Sequence, residues 1–175
     1  MMTRSDTAAR SGKAGAERLS KDAGETRVLA AIDGSESSVR MLEYLRNLKE
    51  RGAPLEVIAL NVQPAPEDWR LRGYETFKRD AVIERLVADI GKPIVTGFGR
   101  QLERMGIAHT ERVEIGEPAE TIVRCAVEEG CGLILMSDPR AGAGRRWLAK
   151  NLGLAAGSIS VQVVQLADVP VVIVK

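Results

Sequence analysis

The sequence predicts a doubly wound α/β sandwich, in which one parallel sheet lies between two layers of helices. Five short apolar runs alternate along the chain with four longer stretches in which apolar residues recur every three or four positions. Such short runs are typical of parallel strands buried on both faces, and the longer stretches are typical of the connecting helices. In this fold class, ligands bind beyond the carboxyl ends of the strands.

Length and composition limit the classes of function. The 175 residues suffice for one domain and a tail, and the net charge of +1 gives no signal for nucleic acid or for a membrane surface as a partner. Cys125 and Cys131 lie outside any CxxC motif, so we expect reduced, packed thiols in a cytoplasmic protein. His109 is the single histidine, and any metal would therefore need oxygen ligands, as Mg²⁺ on a bound phosphate has.

Residues 1–25 are predicted to be a disordered tail that precedes the domain at 26–175. Leu19 is almost the only large apolar residue in this segment, so burial cannot offset the entropy lost on ordering. Three acidic residues interrupt its basic ones, which disfavours a transit peptide.

The first strand is predicted at 27–32 and ends at Asp33-Gly34-Ser35, where Ser35 is a candidate N-cap of the next helix. Apolar residues then recur with helical spacing as far as Gly52, and a second buried run follows at 55–62. Strand, helix and strand form a right-handed βαβ unit.

A long helical pattern runs from Ile83 to Met105, after an excursion that contains Trp69. A proline inside a helix removes a hydrogen bond and clashes with the preceding turn, so we predict a bend or break near Gly91 to Pro93. Residues 109–115 alternate as a third strand should.

The last third of the chain begins with a helix started by Pro118 and ended by Gly130. A buried strand follows at 133–136, then a long loop, and then Gly-Ser-Ile-Ser at 157–160, which opens another helix before the final strand Val171–Val174. A strand, a glycine-bearing loop and a helix start together predict an anion site, because the first N–H groups of a helix are unpaired. An ordinary capped helix is the alternative interpretation.

Six short segments, in this order and spacing, resemble the universal stress protein family over 26–175. They are Ala-Ile-Asp-Gly-Ser at 31–35, Leu-Asn-Val at 60–62, Gly-Glu-Pro-Ala-Glu at 116–120, Leu-Ile-Leu-Met at 133–136, Gly-Ser-Ile-Ser at 157–160 and Pro-Val-Val-Ile-Val at 170–174. The resemblance implies a three-layer sandwich with parallel strand order 3-2-1-4-5, of the adenine nucleotide alpha hydrolase-like type. It also implies a homodimer formed through Val171–Val174, an apolar edge that invites another strand.

The resemblance further implies an adenine nucleotide site. In nucleotide-binding members, the equivalent of Asp33 contacts adenosine, the backbone at Val62 meets adenine and Gly116 lies near the ribose, while the phosphates rest on a loop of pattern G-x2-G-x9-G-[ST]. The residues assigned to the site are Ala31, Asp33, Val62, Gly116, Met136, Ser137, Arg140, Gly157, Ser158 and Ile159.

The phosphate loop departs from the family pattern. Ser137 and Arg140 replace its first two glycines, and the stretch at 141–156 is seven residues longer than the pattern. Arginine neither adopts positive φ freely nor allows so close an approach of phosphate to the backbone. Arg140, Arg145, Arg146 and Lys150 are alternative phosphate ligands. A solvated, mobile basic loop is the other interpretation of the same residues.

Two functions follow as expectations. The first is a dimeric stress-response or signalling module that binds ATP or AMP, with Mg²⁺ as a further candidate on the phosphates. The alternative is a family member that binds no nucleotide and acts as a dimeric scaffold for protein partners. Because no nucleophile–His–acid set can be assembled from the sequence, we do not expect an enzyme, beyond weak and incidental ATP hydrolysis.

Overall fold

The computed structural model describes residues 26–65, 76–137 and 159–175. The elements follow in the order β1 (Thr26–Ala31), α1 (Ser37–Glu50), β2 (Leu55–Gln63), α2 (Thr76–Arg85), a π-helical segment (Leu86–Gly91), α3 (Lys92–Arg104), β3 (Ala108–Ile115), α4 (Pro118–Glu128), β4 (Leu133–Ser137), α5 (Ile159–Leu166) and β5 (Val171–Val174). The predicted tail at 1–25, the excursion around Trp69 and the basic loop from Arg140 to Lys150 lie outside the described residues.

The five described strands form one parallel sheet in the order β3-β2-β1-β4-β5, as expected. The chain builds outward from β1 through β2 to β3, and then crosses to the other side of β1 to add β4 and β5. Strand order therefore reverses at β1, between the strands added on the β2 side and those added on the β4 side. A crevice for a ligand is expected at this point, beyond the carboxyl ends of the strands.

Two apolar layers hold the sheet between its helices, because successive side chains of a buried strand point to opposite faces. Val28 and Ala30 of β1 pack with α1 and α3 on one face. Leu29 packs with α4 and α5 on the other face. These residues of β1 are fully buried, which explains why the strand reads as a continuous apolar run.

The helical region before β3 is irregular where proline and glycine predicted a bend or break. A π-helical turn, Leu86–Gly91, joins α2 to α3, and the backbone stays helical through Gly91 and Lys92. The prediction of a break at Gly91 to Pro93 is therefore wrong, because the helix continues there, and the local feature is instead the π-helical turn that ends at Gly91. Pro93 has no N–H to donate, and it lies in the first turn of α3, where helices tolerate proline.

Gly91 is buried, and it lets this irregular turn lie directly on the sheet. A Cβ at Gly91 would stand 2.3 Å from Val113 Cγ1 on β3 and 3.3 Å from Asn61 Oδ1 on β2. Carbon atoms in contact normally lie about 3.5–4 Å apart, so no residue with a Cβ fits here without movement.

The two cysteines are free and buried, in agreement with the expectation of packed thiols. Burial raises the pKa of Cys131 to about 12 and also raises the pKa of Cys125. A thiol with so high a pKa is scarcely ionised near neutral pH, and it is therefore a poor nucleophile.

A group of charged side chains joins β3 to the end of α4. Arg112 on β3 bonds Glu114 and Glu128 at 2.7 Å and Glu129 at 2.9 Å. Hydrogen bonds to these carboxylates raise the pKa of Arg112, and those from Arg124 and Arg112 lower the pKa of Glu128. The group is partly exposed and shares no residue with the cavity described below, so its role is to hold α4 against β3.

No helix in the described part of the chain is long and apolar enough to cross a membrane.

Candidate functional site

A cavity of about 540 Å³ lies at the carboxyl ends of β1, β2 and β4, where strand order reverses. Its lining combines the ends of the three central strands with the first turns of α4 and α5. The lining residues are Ala31, Ile32, Asp33, Leu60, Val62, Pro64, Pro118, Ile122, Met136, Ser137, Ile159 and Ser160. Its volume is within the roughly 300–1,000 Å³ typical of small-molecule sites.

The walls of the cavity are mainly apolar. Leu60 and Val62 of β2 point into it from the sheet, Ile122 of α4 faces it from the helix layer, and Met136 and Ile159 complete its sides. Leu60 is fully buried, whereas Ile159 is 44% exposed at the mouth. Apolar walls of this kind suit a flat aromatic ring, which gains by leaving water.

Asp33 is the only acidic side chain in the described lining, and it is exposed at the rim. Its Oδ1 accepts a hydrogen bond of 2.9 Å from the backbone N–H of Ser35, and Gly34 between them has φ of +77°. This Asx turn fixes the carboxylate at the mouth of the cavity.

The N-cap prediction for Ser35 is wrong. Helix α1 begins at Ser37 after Glu36, and no side chain caps it. The hydroxyl of Ser35 instead bonds the hydroxyl of Ser37. Residues 33–35 form the Asx turn between β1 and α1, so the helix begins only at Ser37.

Two buried hydroxyl groups complete the polar part of the lining. Ser137 ends β4 and is 8% exposed, and Ser160 lies in the first turn of α5 and is 4% exposed. Hydroxyl groups both donate and accept hydrogen bonds, so this side of the cavity can satisfy polar groups of a ligand.

Gly116 directly follows β3, and it is not among the lining residues of the cavity. Its N–H donates to the carbonyl oxygen of Gln63 at 3.0 Å, which extends the β2–β3 pairing by one residue. A Cβ at Gly116 would stand 2.7 Å from Thr121 Oγ1. Packing against α4 therefore accounts for a glycine here without any ligand.

The other described residues assigned to the site from the sequence come together in this one cavity. They are Ala31, Asp33, Val62, Met136, Ser137 and Ile159. Arg140, Gly157 and Ser158 lie outside the described residues. Sequence reasoning did not assign six other lining residues to the site: Ile32, Leu60, Pro64, Pro118, Ile122 and Ser160. The helical spacing of Ile122, for example, marks it equally well as a core residue.

Within the described ranges, no group of three or more histidine, cysteine, aspartate or glutamate side chains could hold a metal ion. The polar side chains of the described lining are instead one carboxylate, of Asp33, and two hydroxyls, of Ser137 and Ser160. These groups fit the hydroxyls of a sugar better than they fit a metal, which needs several charged oxygen ligands.

Comparison with known proteins agrees with this architecture. Residues 25–175 match the model of the Universal stress protein family. Hypothetical protein MJ0577 superposes with a TM-score of 0.65 and 25% identity, over 86% of this chain and 95% of that one. The universal stress protein UspA from Lactobacillus plantarum gives a TM-score of 0.62 at 19% identity, over 86% and 97% of the two chains. No curated protein matches the chain.

A further solved structure of the same fold holds a nucleotide. The universal stress protein from Archaeoglobus fulgidus, in complex with dAMP, superposes with a TM-score of 0.54 and 20% identity, over 86% of this chain and 98% of that one. At this identity the likeness shows the shared fold.

Proposed function

This chain belongs to the universal stress protein family, and we propose that it binds an adenine nucleotide, AMP or ATP, in the cavity at the carboxyl ends of β1, β2 and β4. In this proposal the nucleotide regulates a dimeric, cytoplasmic module of stress response or signalling. The observation that carries it is the meeting of Asp33, Val62 and Met136 in one apolar cavity of suitable volume. Family members crystallised with dAMP and with cAMP support nucleotide binding in the family.

The adenine ring would lie between the apolar walls, with Leu60 and Val62 on the sheet side and Ile122 on the helix side. Apolar contact supplies affinity but little discrimination between bases. Discrimination would come from the backbone of Val62 near the end of β2, which extends beyond the last residue pair of β1 with β2, Ala31 with Leu60.

The ribose hydroxyls would donate to the carboxylate of Asp33. The Asx turn holds this carboxylate in place before a ligand arrives, so little side-chain entropy is lost on binding. Hydrogen bonds to a charged acceptor contribute about 1.5–3 kcal/mol each.

The phosphates would extend from Ser137 toward the start of α5, where Ile159 and Ser160 line the cavity. Arg140, Gly157 and Ser158 are the residues that we propose as phosphate ligands, and Mg²⁺ would be held by the phosphates themselves. The described lining contains neither histidine nor cysteine, which supports a binding protein rather than a dedicated enzyme.

Nucleotide binding is expected to raise the melting temperature of the wild-type protein. A ligand at 100 times its Kd stabilises the folded state by about 2.7 kcal/mol, which corresponds to roughly 5–10 °C for a domain of this size. Differential scanning fluorimetry with AMP and ATP measures the shift. Ribose 5-phosphate is the matched control, since it lacks the base and should shift the melting temperature little. The proposal would be contradicted if ribose 5-phosphate raised the melting temperature as much as AMP does, or if neither AMP nor ATP raised it.

The proposed homodimer forms through the open edge of β5. Strand β5 lies at the end of the described sheet, and Ile134 N–H donates to the carbonyl of Pro170 at 3.0 Å. Backbone groups alternate along a parallel strand, so the groups of Val172 face β4 and those of Ile173 face outward. Beside this edge, α5 exposes Val164 and Leu166 by about half. An open apolar edge of this kind supports pairing with a second copy.

Ile173→Pro is expected to abolish the dimer and leave the monomer folded. Proline removes the outward N–H at Ile173 but none of the hydrogen bonds to β4, and edge strands tolerate proline at such positions. Sedimentation velocity should give the mass of a monomer for Ile173→Pro and of a dimer for the matched control Ile173→Val. A dimer that survives the proline would place the interface elsewhere.

The exposed apolar face of α5 also favours a second candidate, the dimeric scaffold that binds protein partners and no nucleotide. This candidate predicts an intact dimer together with an unchanged melting temperature in AMP and ATP. The two experiments above therefore separate the candidates.

A further inference from the structure

Asn61 is a buried polar residue at the end of β2, on the face opposite the cavity. Its neighbours Leu60 and Val62 line the cavity, so the alternation of side chains directs Asn61 away from it, toward α3. The residue is 2% exposed. A buried amide is costly unless its groups are hydrogen-bonded, so its partners indicate what it does.

The side chain of Asn61 joins the ends of β1 and β2. Its Nδ2 donates to the carbonyl oxygen of Ile32 at 2.7 Å, and its Oδ1 accepts from Nε2 of Gln63 at 2.6 Å. The Ile32 carbonyl can only accept, and this requirement fixes the orientation of the amide.

This hydrogen bond begins where the pairing of β1 with β2 ends. The backbone N–H of Ile32 donates to the carbonyl of Leu60 at 2.9 Å. The carbonyl of Ile32 accepts a hydrogen bond from the side chain of Asn61. The next residue is Asp33, whose carboxylate stands at the rim of the cavity. The amide therefore holds the last peptide group before the Asx turn.

The helix layer shields this hydrogen bond from water. Gly91 lies over Asn61, since a Cβ at Gly91 would stand 3.3 Å from its Oδ1. A hydrogen bond in such a place is stronger than one at the surface, and a lost partner is not replaced by solvent.

We propose that Asn61 is a positioning residue, which acts through Ile32 to hold the Asp33 carboxylate in register with the backbone of Val62. In the proposed complex, the nucleotide contacts Asp33 just after β1 and Val62 on β2, so its affinity depends on the relative placement of these two segments. The side chain of Asn61 sets that placement from behind the sheet, without touching the ligand. This inference rests on the proposed function for the ligand, while the link between Asn61 and the Asp33 turn stands independently of it.

Asn61→Leu tests the proposal, because leucine has nearly the same shape and donates no hydrogen bond. In ligand-free protein, the backbone amide resonances of Gly34 and Ser35 should shift in ¹H–¹⁵N spectra. Titration with AMP, at a temperature where the variant is fully folded, should show an affinity about 10-fold lower, in line with the loss of one buried hydrogen bond.

Val57→Ala is the matched control. Val57 is fully buried in the same strand, at the end remote from the cavity. Its truncation should destabilise the fold while leaving the Gly34 and Ser35 resonances and the AMP affinity unchanged. A role of Asn61 in stability alone predicts that both variants behave alike, and that result would overturn the proposal.

Gln63→Ala covers the case in which Asn61→Leu does not fold. Gln63 is partly exposed, and in this network its side chain donates only to Oδ1 of Asn61. Its truncation therefore leaves the hydrogen bond from Asn61 to Ile32 in place, and we expect a smaller effect. The same two resonances should shift, with an AMP affinity about 2–5-fold lower, and unchanged resonances would overturn the proposal. If wild-type protein binds no AMP but Asn61→Leu still shifts the turn, the positioning role stands and the proposed function fails.

Discussion

Gly91→Ala is expected to destabilise the fold by about 1–3 kcal/mol, the usual cost of an added methyl group in a packed core. The new Cβ would stand 2.3 Å from Cγ1 of Val113 and 3.2 Å from its Cγ2. Valine is stiff about χ1, so its methyl groups cannot swing away at low cost. Relief requires the π-helical turn to lift from the sheet, which would open the layer that covers Asn61.

Gly97→Ala is the matched control, because Gly97 lies in α3 and a Cβ there would meet no atom within 4 Å. Alanine is the better helix former, so this variant should be more stable by about 0.5–1 kcal/mol. Gly99→Ala should fall between the two, since its Cβ would approach the mobile ends of Glu111 and His109 at 2.6 and 2.8 Å. Urea denaturation measures all three. Equal stability of the alanine variants at 91 and 97 would show that the close approach at Gly91 is not constraining.

The sequence predicted the central strands well because they are buried on both faces. In β1 and β2, continuous apolar runs leave no alternative to a central position in a parallel sheet. The strand order, in contrast, could not be predicted from local patterns, and it was predicted from the resemblance to the universal stress protein family. No local pattern states that β4 adds beside β1, because that choice is made by packing between distant segments.

The π-helical turn before α3 is a second case in which packing between distant segments decides the structure. Gly91 and Pro93 predicted a bend or break, since each disturbs a helical backbone locally, whereas the helix continues through them. That the turn would be π-helical, and that Gly91 would lie against Val113, depends on the approach of α3 to β3. Such contacts cannot be derived from the spacing of apolar residues.

The site residues were assigned through the resemblance to the family, and those at strand ends lie together in the structure, whereas lining residues such as Leu60 of β2 and Ile122 of α4 were missed. Asp33, Val62 and Met136 follow or end neighbouring strands, so the topology alone brings them together. Ile122 also lines the cavity, yet its position in α4 marks it as a core residue. Asn61 gave no signal of its role either, because a polar residue at a strand end is normally read as a solvent-facing one.

Asp33→Ala is expected to weaken the binding of AMP by about 1–3 kcal/mol, or roughly 5–150-fold, the range for removing a partner from a charged hydrogen bond. Glu36→Ala is the matched control: it removes the same charge from the same exposed loop, outside the cavity lining. Asp33 also accepts from Ser35 N–H, so its removal loosens the turn. Asp33→Asn separates the two effects, because the amide oxygen keeps that bond while the charge is lost. Isothermal titration should rank affinity as wild type and Glu36→Ala, then Asp33→Asn, then Asp33→Ala. Equal affinities in all four proteins would show that the carboxylate does not contact the ligand, since no other acidic side chain in the described lining can replace it.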